Sequence, residues 1–471
     1  MGAGARVARP TCIRIFRGAP NSIILQSQLH KHSQFCSERS ANGFVFKKHM
    51  TGPITRRDAL LRAAALASAG MIPAAPVPSG AAPPRRPARS EEIDRALRAK
   101  VSAREIPGVV AMAANEQSIV YEGAFGFRDV ATASRLSTDT IFRIASMVKL
   151  LTSIAALQLV ERGKLKLDEP AGNIDPALGS SQVLAGFDAK GVPQLRPAQT
   201  PMTLRHLLTH TSGFSYRLWD PNVVRYLKIA RSNPNLPRTP LMFEPGVKWA
   251  YGGGLDRVGR MVEIAGGQSL DRYFIDHITG PLGMHDTGFS ITVQQRARQA
   301  SLHVRDANGK LIPQPLEKPT VPNVVSGGGG IYSTAPDYLT LLQALLNGGS
   351  LRGASILRPE TVALMSTNQI GNLEAGILKT TDPALSNDVD FFPGVRLRWG
   401  LGHMINIDPV PDGRKAGSLT WAGLFNTYYW IDPTTRIAGV IMMQILPFAD
   451  HQALRAYRLF ERGICRGIAP A

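Results

Sequence analysis

Apolar positions along the chain change their period several times. Between Glu91 and Ala103, Ile93, Ala96 and Leu97 recur at helical spacing and predict a helix. Pro107 to Ala114 and Ser118 to Phe127 are instead apolar, β-branched and aromatic, and the break at Ala114-Asn115-Glu116-Gln117 makes them a predicted hairpin. The helical period returns from Phe142 to Val160, where Ile144, Ala145, Val148, Leu151, Ile154, Ala155, Leu157 and Leu159 leave little polar surface, and Gly163 supplies a stop. Such a helix must be mostly buried. Ser146 and Lys149, polar residues at its beginning, are therefore placed to face a cleft.

The middle of the chain predicts helical turns at Leu204 to Leu208, Leu255 to Ala265, Leu270 to Ile278 and Ala335 to Leu346, separated by long loops and by the break Thr211-Ser212-Gly213. Four successive glycines, Gly327 to Gly330, ahead of Ile331-Tyr332 indicate a tight turn or a close backbone approach that side chains would block. They lack the lysine of a phosphate-binding loop. Strand patterns resume in Leu397 to Ile407, Lys415 to Trp421, Leu424 to Ile431 and Ile437 to Met443, with Asp432-Pro433-Thr434-Thr435-Arg436 as a hairpin loop, and Leu454 to Phe460 lies within a terminal helix. The order implies an α+β catalytic domain over 91–465. Residues 91–168 and 351–465 form its mixed sheet part and 169–350 its mostly helical part. No internal repeat is present.

With 471 residues, 44% hydrophobic and 19% charged, the chain can build a large core, which excludes fibrous and low-complexity classes. The net charge of +19 raises the question of nucleic acid, but eleven basic and only two acidic residues fall within 1–69, and the rest carries no long basic run. No nucleic-acid partner is expected. Within 50–75, Thr55-Arg56-Arg57-Asp58-Ala59-Leu60-Leu61-Arg62 precedes the apolar stretch Ala63 to Ile72 and then Pro73, too short a run for a permanent membrane span. This segment resembles a twin-arginine export signal, with Ala59 where a bulkier apolar residue is common. The mature protein is accordingly expected in the periplasm or secreted, with no integral membrane segment. Residues 1–49 read as a non-native or disordered extension and 76–90 as a Pro/Arg-rich linker. Of Cys12, Cys36 and Cys465, only the last would remain after processing, so no disulfide or cysteine metal site is expected.

Ser146 and Lys149 lie three positions apart, which stacks them on one helical face. A serine hydroxyl becomes a useful nucleophile when a base accepts its proton, and a lysine serves as that base in its neutral form, which burial favours. Taken alone the pair is common by chance, usually as a helix cap and a solvated ammonium. His206 and His210, four apart, lack a zinc-site glutamate and are expected to make local hydrogen bonds rather than hold a metal. Asp256 and Glu263 read as helix-surface charges.

The surrounding residues change the weight of the Ser-Lys pair. Phe142-Arg143-Ile144-Ala145-Ser146-Met147-Val148-Lys149 resembles the nucleophile segment of serine β-lactamase-like and penicillin-binding-protein-like hydrolases. His206-Leu207-Leu208-Thr209-His210-Thr211-Ser212-Gly213 resembles a marker of the branch related to class C β-lactamases. Phe243-Glu244-Pro245-Gly246, then Trp249 and Tyr251, then Pro281-Leu282-Gly283-Met284 and the glycine run before Tyr332-Ser333, continue the likeness in order. It spans Glu91 to Ile464. The resemblance implies the β-lactamase/transpeptidase-like fold, an antiparallel sheet flanked by helices plus a mostly helical domain, with the active site between them. It implies Ser146 as acylated nucleophile, Lys149 as proton acceptor and Tyr251 as the tyrosine that relays the proton.

Two departures bear on substrate. The usual tyrosine-any-asparagine triplet is Tyr251-Gly252-Gly253, so no side-chain amide is available to hold substrate or Lys149. Trp421-Ala422-Gly423 stands where lactam-hydrolysing members carry lysine or histidine, a small residue and glycine, and is similar to the family VIII carboxylesterase branch. By family position the N–H groups of Ser146 and Leu424 form the oxyanion hole, and Trp421, Ala422, Gly423, Gly252 and Gly253 line the substrate site. Phe214, Tyr216, Trp219, Phe391, Phe392, Phe425, Tyr428 and Tyr429 are candidates for pocket walls. The expected activity is cleavage of small carboxylic esters through an acyl-enzyme, with no cofactor, no metal and no specific protein partner. A β-lactamase or D-amino-acid peptidase, and a non-catalytic binding protein on the same fold, are the alternatives.

Overall fold

The computed structural model describes residues 88–130, 132–316 and 325–467. The expected extension 1–49, export segment 50–75 and most of the linker 76–90 lie outside the described residues, as do Cys12 and Cys36. The first described helix, α1 (Ala88–Ser102), begins inside the stretch predicted to be linker, ahead of the Glu91 start that periodicity indicates.

An eight-stranded sheet carries the fold. Its strands are β1 (Gly108–Asn115), β2 (Ile119–Asp129), β3 (Ser134–Arg135), β4 (Leu397–Trp399), β5 (Met404–Asn406), β6 (Leu419–Gly423), β7 (Thr427–Asp432) and β8 (Ile437–Met442), in the spatial order β4-β5-β6-β7-β8-β1-β2-β3. Neighbours pair antiparallel, and β8 joins the C-terminal strands to the N-terminal hairpin with Val110 opposite Met442 and Asn115 opposite Ile437. The chain ends thus build one layer. Side-chain alternation divides it into two faces. On one face, Tyr428 stacks on Tyr457, and Trp430 and Tyr121 meet Phe460 of the last helix, α6 (His451–Gly467), which packs beside α1. On the other, Tyr429 meets Tyr338 of α5 (Ala335–Leu346) at 5.4 Å.

Helix α2 (Val148–Glu161) is buried from Val148 to Leu159, as its all-round apolar pattern requires. Leu150, Leu151, Ile154, Leu157 and Leu159 are each at most 1% exposed. At about 2 kcal/mol apiece they outweigh the cost of burying the ammonium of Lys149 on the same helix. The helix starts later than its periodicity predicts. Phe142–Arg143 is a short strand paired with Tyr332–Ser333, Ala145–Met147 is a 3-10 turn, and the α-helix begins at Val148. The cause is Ala145 at φ 43°, a left-handed conformation no α-helix contains.

Two other predictions change on folding. Leu397 to Ile407, read as one strand, is the β4-β5 hairpin, because Gly400 to His403 turn the chain and Gly402 sits at φ 118°. The helical part between the sheet segments also holds a hairpin of Gln182–Phe187 with Pro193–Pro197 and a strand pair, His303–Arg305 with Leu311–Pro313. These strands are short, three of their positions are proline (Pro193, Pro197 and Pro313), and they carry no sustained alternating apolar signal. Helices α3 (Leu204–Leu208) and α4 (Gly254–Gly266) lie where predicted. Leu270–Phe274 is helical and widens to a π turn over Ile275–Thr279.

Arg414 and Glu461 form an ion pair inside this fold, 0% and 3% exposed, with two guanidinium N–H groups on the two carboxylate oxygens at 2.8 and 2.7 Å and another contact to the Tyr457 hydroxyl. Glu461→Ala leaves that cation buried without its counter-charge and is expected to lower the unfolding free energy by about 3 kcal/mol. Denaturant unfolding of the two proteins checks this; a loss under about 1 kcal/mol would mean that water reaches Arg414 in the variant.

Candidate active site

The left-handed turn at Ala145 leaves Ser146 partly exposed while Met147, Val148 and Lys149 turn inward. Backbone in that region costs of order 1–3 kcal/mol for a residue with a Cβ, and such positions concentrate at functional sites. Lys149 is 2% exposed. Its Nζ donates to Ser146 Oγ at 3.1 Å and to the carbonyl of Gly328 at 2.7 Å, and lies 5.1 and 5.4 Å from the ring centres of Tyr251 and Tyr216. Among the described residues no carboxylate forms an ion pair with it. A buried amine with a serine oxygen as one of its two hydrogen-bond partners is suited to exchange a proton with that serine.

The glycine run makes this approach possible. A Cβ on Gly327 would collide with the carbonyl of Leu255 in α4, and Thr152 Oγ1 on α2 donates to Gly327 O at 2.8 Å. The turn is wedged between two helices, with its carbonyls toward α2.

Tyr251 is set from below by His210. The N–H of Ala250 donates to His210 O at 2.9 Å and that of Gly252 to His210 Nδ1 at 3.4 Å, so one residue brackets the tyrosine on both sides. Burial first, and then the Lys149 charge, push the His210 imidazole well below its usual range, which keeps it neutral and able to accept. His206 has a separate task, accepting from Thr203 N at 3.3 Å to close the capping box of α3. Above, Trp421 Nε1 on β6 donates to the Tyr251 phenol oxygen at 3.0 Å, with the rings 4.7 Å apart. No direct hydrogen bond joins this phenol to Ser146 Oγ. The two groups approach the same ammonium from different elements.

Gly423, at the end of β6, lies against the nucleophile turn so closely that a Cβ would strike the carbonyl of Ile144. This holds the end of β6, which Leu424 follows, against the turn that carries Ser146, and among the described residues neither the Ser146 nor the Leu424 backbone N–H donates to another protein group. Both N–H groups are therefore free to serve a tetrahedral oxyanion. Gly423→Ala should force the strand off the turn and lower kcat/KM by roughly 100-fold, the cost of about 1 Å of misplacement. Steady-state kinetics on the folded variant, normalised to titrated active sites, would bear this out, with some loss of melting temperature expected from the overpacking; activity within threefold would mean the spacing does not matter.

The remaining predicted positions separate. Trp421 faces Tyr251, but Ala422 points to the opposite face of the sheet, opposite Tyr428, and is not a wall of the site. Gly252 is buried against the backbone of Phe214 and Ser215, where a side chain would not fit, so its role is close approach rather than substrate contact. Gly253 is partly exposed. Tyr216 and Trp219 lie 5.5 and 5.4 Å from Tyr251, and Phe391 stands edge-on to Trp421 at 6.0 Å. Tyr428 and Tyr429 are core residues 1% exposed, and Phe425 lies under the Arg143 guanidinium. Asp256 was expected on the surface of its helix. It turns instead into the glycine run and toward Tyr216. Its place in the first turn of α4, five residues after Tyr251, was the only signal available in the sequence.

An antiparallel sheet, a helical part and a Ser-Lys-Tyr cluster beside the end of strand β6 define the class. The β-lactamase family model matches residues 93–463, and the chain belongs to that family. Its relatives include monacolin J acid methylbutanoyltransferase of Aspergillus terreus, 33% identical over 79% of this chain and 94% of that protein. Lovastatin esterase of Penicillium rubens is 32% identical over 75% of this chain and 93% of its own length. Unliganded simvastatin synthase of Aspergillus terreus superposes with a TM-score of 0.71 at 31% identity, covering 81% of this chain and 99% of that one. Among the described residues, no helix is long and apolar enough to cross a membrane.

Proposed function

We propose that the protein cleaves carboxylic esters through an acyl-enzyme on Ser146. The observation that carries this reading is the buried Lys149 amine 3.1 Å from Ser146 Oγ. In its neutral form Lys149 takes the hydroxyl proton as Oγ bonds to the ester carbonyl carbon, and the N–H groups of Ser146 and Leu424 hold the oxyanion. The proton passes to the leaving alkoxide, with Tyr251 relaying it, and the C–O bond to the alcohol breaks. Water then adds to the acyl carbon, giving its proton back through the same groups, and the acid departs.

Three features favour an ester over a lactam or peptide. Trp421 offers a neutral indole N–H where a cation would recognise a carboxylate, Gly253 offers no amide, and the nearby rings of Trp219 and Phe391 are uncharged. A second reading, transfer of the acyl group to an alcohol instead of water, has specific support in the acyltransferase relatives, five of them 31 to 34% identical. Intact-protein mass spectrometry after brief exposure to a short-chain aryl ester, a cephalosporin and a D-alanyl peptide tests the first reading. An acyl adduct on Ser146 from the ester alone is expected. Dominant turnover of either amide would overturn the ester preference. Adding an apolar alcohol and measuring the ester-to-acid ratio of products separates transfer from hydrolysis.

A further inference from the structure

Lys149 must be held in one orientation to serve Ser146, and Gly253 has no side chain with which to do so. The acceptor that holds it is main chain, Gly328 O at 2.7 Å. A carbonyl within four consecutive glycines is a poor anchor by itself, because glycine restrains the backbone least of all residues. Something must fix the turn.

Asp256 is placed to do that. Its Oδ1 accepts from the Gly328 N–H at 3.2 Å and from the Ser326 hydroxyl, and its Oδ2 accepts from the Tyr216 hydroxyl at 3.3 Å. A Cβ on Gly328 would lie 2.7 Å from Oδ1, so the carboxylate approaches this closely only because the residue is glycine. A Cβ on Gly253 would lie 3.3 Å from Oδ2, so the same carboxylate packs over the position that lacks an amide. Tyr216, which Asp256 holds, also presents its ring to the Lys149 ammonium at 5.4 Å. Its phenol is driven well above the usual range, first by burial and then by the Asp256 charge, and so stays a hydrogen-bond donor.

We propose that Asp256 is a positioning residue for acyl transfer. It clamps the Ser326 to Gly328 turn so that Gly328 O takes one hydrogen of Lys149 and the nitrogen stays aimed at Ser146. The carboxylate thus acts on Lys149 through the glycine backbone. This inference rests on the roles given above to Ser146 and Lys149.

The test uses the full chain as wild type, Asp256→Ala, Asp256→Asn and Ser326→Ala. The readouts are kcat per active site titrated with an aryl phosphonate, KM for a short-chain aryl ester, and melting temperature. Asp256→Ala is expected to lower kcat per titrated site by on the order of 100-fold, with KM within about threefold, as a loosened geometry should. Asp256→Asn keeps an acceptor for Gly328 N and should recover to within about tenfold of wild type, and Ser326→Ala should lose about tenfold. A purely structural role would lower the melting temperature or the fraction of titratable sites and leave kcat per site unchanged. That result in Asp256→Ala, or in Asp256→Asn and Ser326→Ala if the alanine variant fails to fold, overturns the proposal. Failure of wild type to form a Ser146 adduct is a different outcome, which removes the acyl-enzyme reading and this inference with it.

Discussion

Ser146→Ala and Lys149→Met are each expected to reduce kcat by on the order of 10⁵, and the double variant to lose no more than either one. Groups that act as a unit show this non-additivity, because once the nucleophile is gone its base has nothing to activate. The structure makes the two a unit: Nζ is 3.1 Å from Oγ, and the other acceptor for Nζ is a backbone carbonyl. Methionine matches the length and apolar stem of lysine, so packing at this 2% exposed position is kept and the comparison isolates the amine. Single-turnover acylation with an aryl ester is the appropriate measurement. Losses that multiply in the double variant, or Lys149→Met activity within tenfold of wild type, would show that Ser146 is activated by another group.

Tyr251→Phe should cost roughly 10³ in kcat, within the range of a positioned proton-transfer group. Trp421→Phe should cost only about tenfold, because it deletes one hydrogen bond to the phenol oxygen while retaining ring contact at 4.7 Å. The physical link between them is direct. An indole N–H directed at the phenol oxygen stabilises negative charge that gathers there when the proton leaves, and it fixes the hydroxyl's orientation beforehand. In the Tyr251→Phe background the Trp421 substitution should therefore have almost no further effect, a coupling that a double-mutant cycle reads. Independent, multiplicative losses would assign Trp421 a contact with substrate and leave the phenol to act alone. Unchanged activity in Tyr251→Phe would remove the tyrosine from the proton path altogether.

What was legible in advance depended on the range of the interaction. The Ser146 and Lys149 juxtaposition rests on a separation of three residues, so local geometry nearly dictates it even though the segment opens as a 3-10 turn. The β1-β2 and β7-β8 hairpins were visible because runs of apolar, β-branched and aromatic residues end at turn residues, and Asp432 caps the second loop by accepting from Thr434 and Thr435 N–H. The β4-β5 hairpin was not, since Gly400 and Gly402 are separated by a single leucine and interrupt the apolar run too briefly to read as a turn. Ala422 was misassigned for a related reason. Its neighbours belong to the site, but alternation turns every second residue of a strand away.

By itself the sequence determined the α+β order of elements, the buried helix with a serine and a lysine three residues apart at its entry, and the family to which those segments belong. These follow from periodicities and contacts spanning few residues. Tertiary structure alone decided that the indole of Trp421 meets the phenol of Tyr251 across 170 residues, that His210 supports that phenol from beneath, and that Asp256 turns into the glycine run instead of toward water. Such pairings depend on how the end of a strand, a helix start and a loop are packed together. That arrangement is set by the whole core, and no local pattern of residues encodes it.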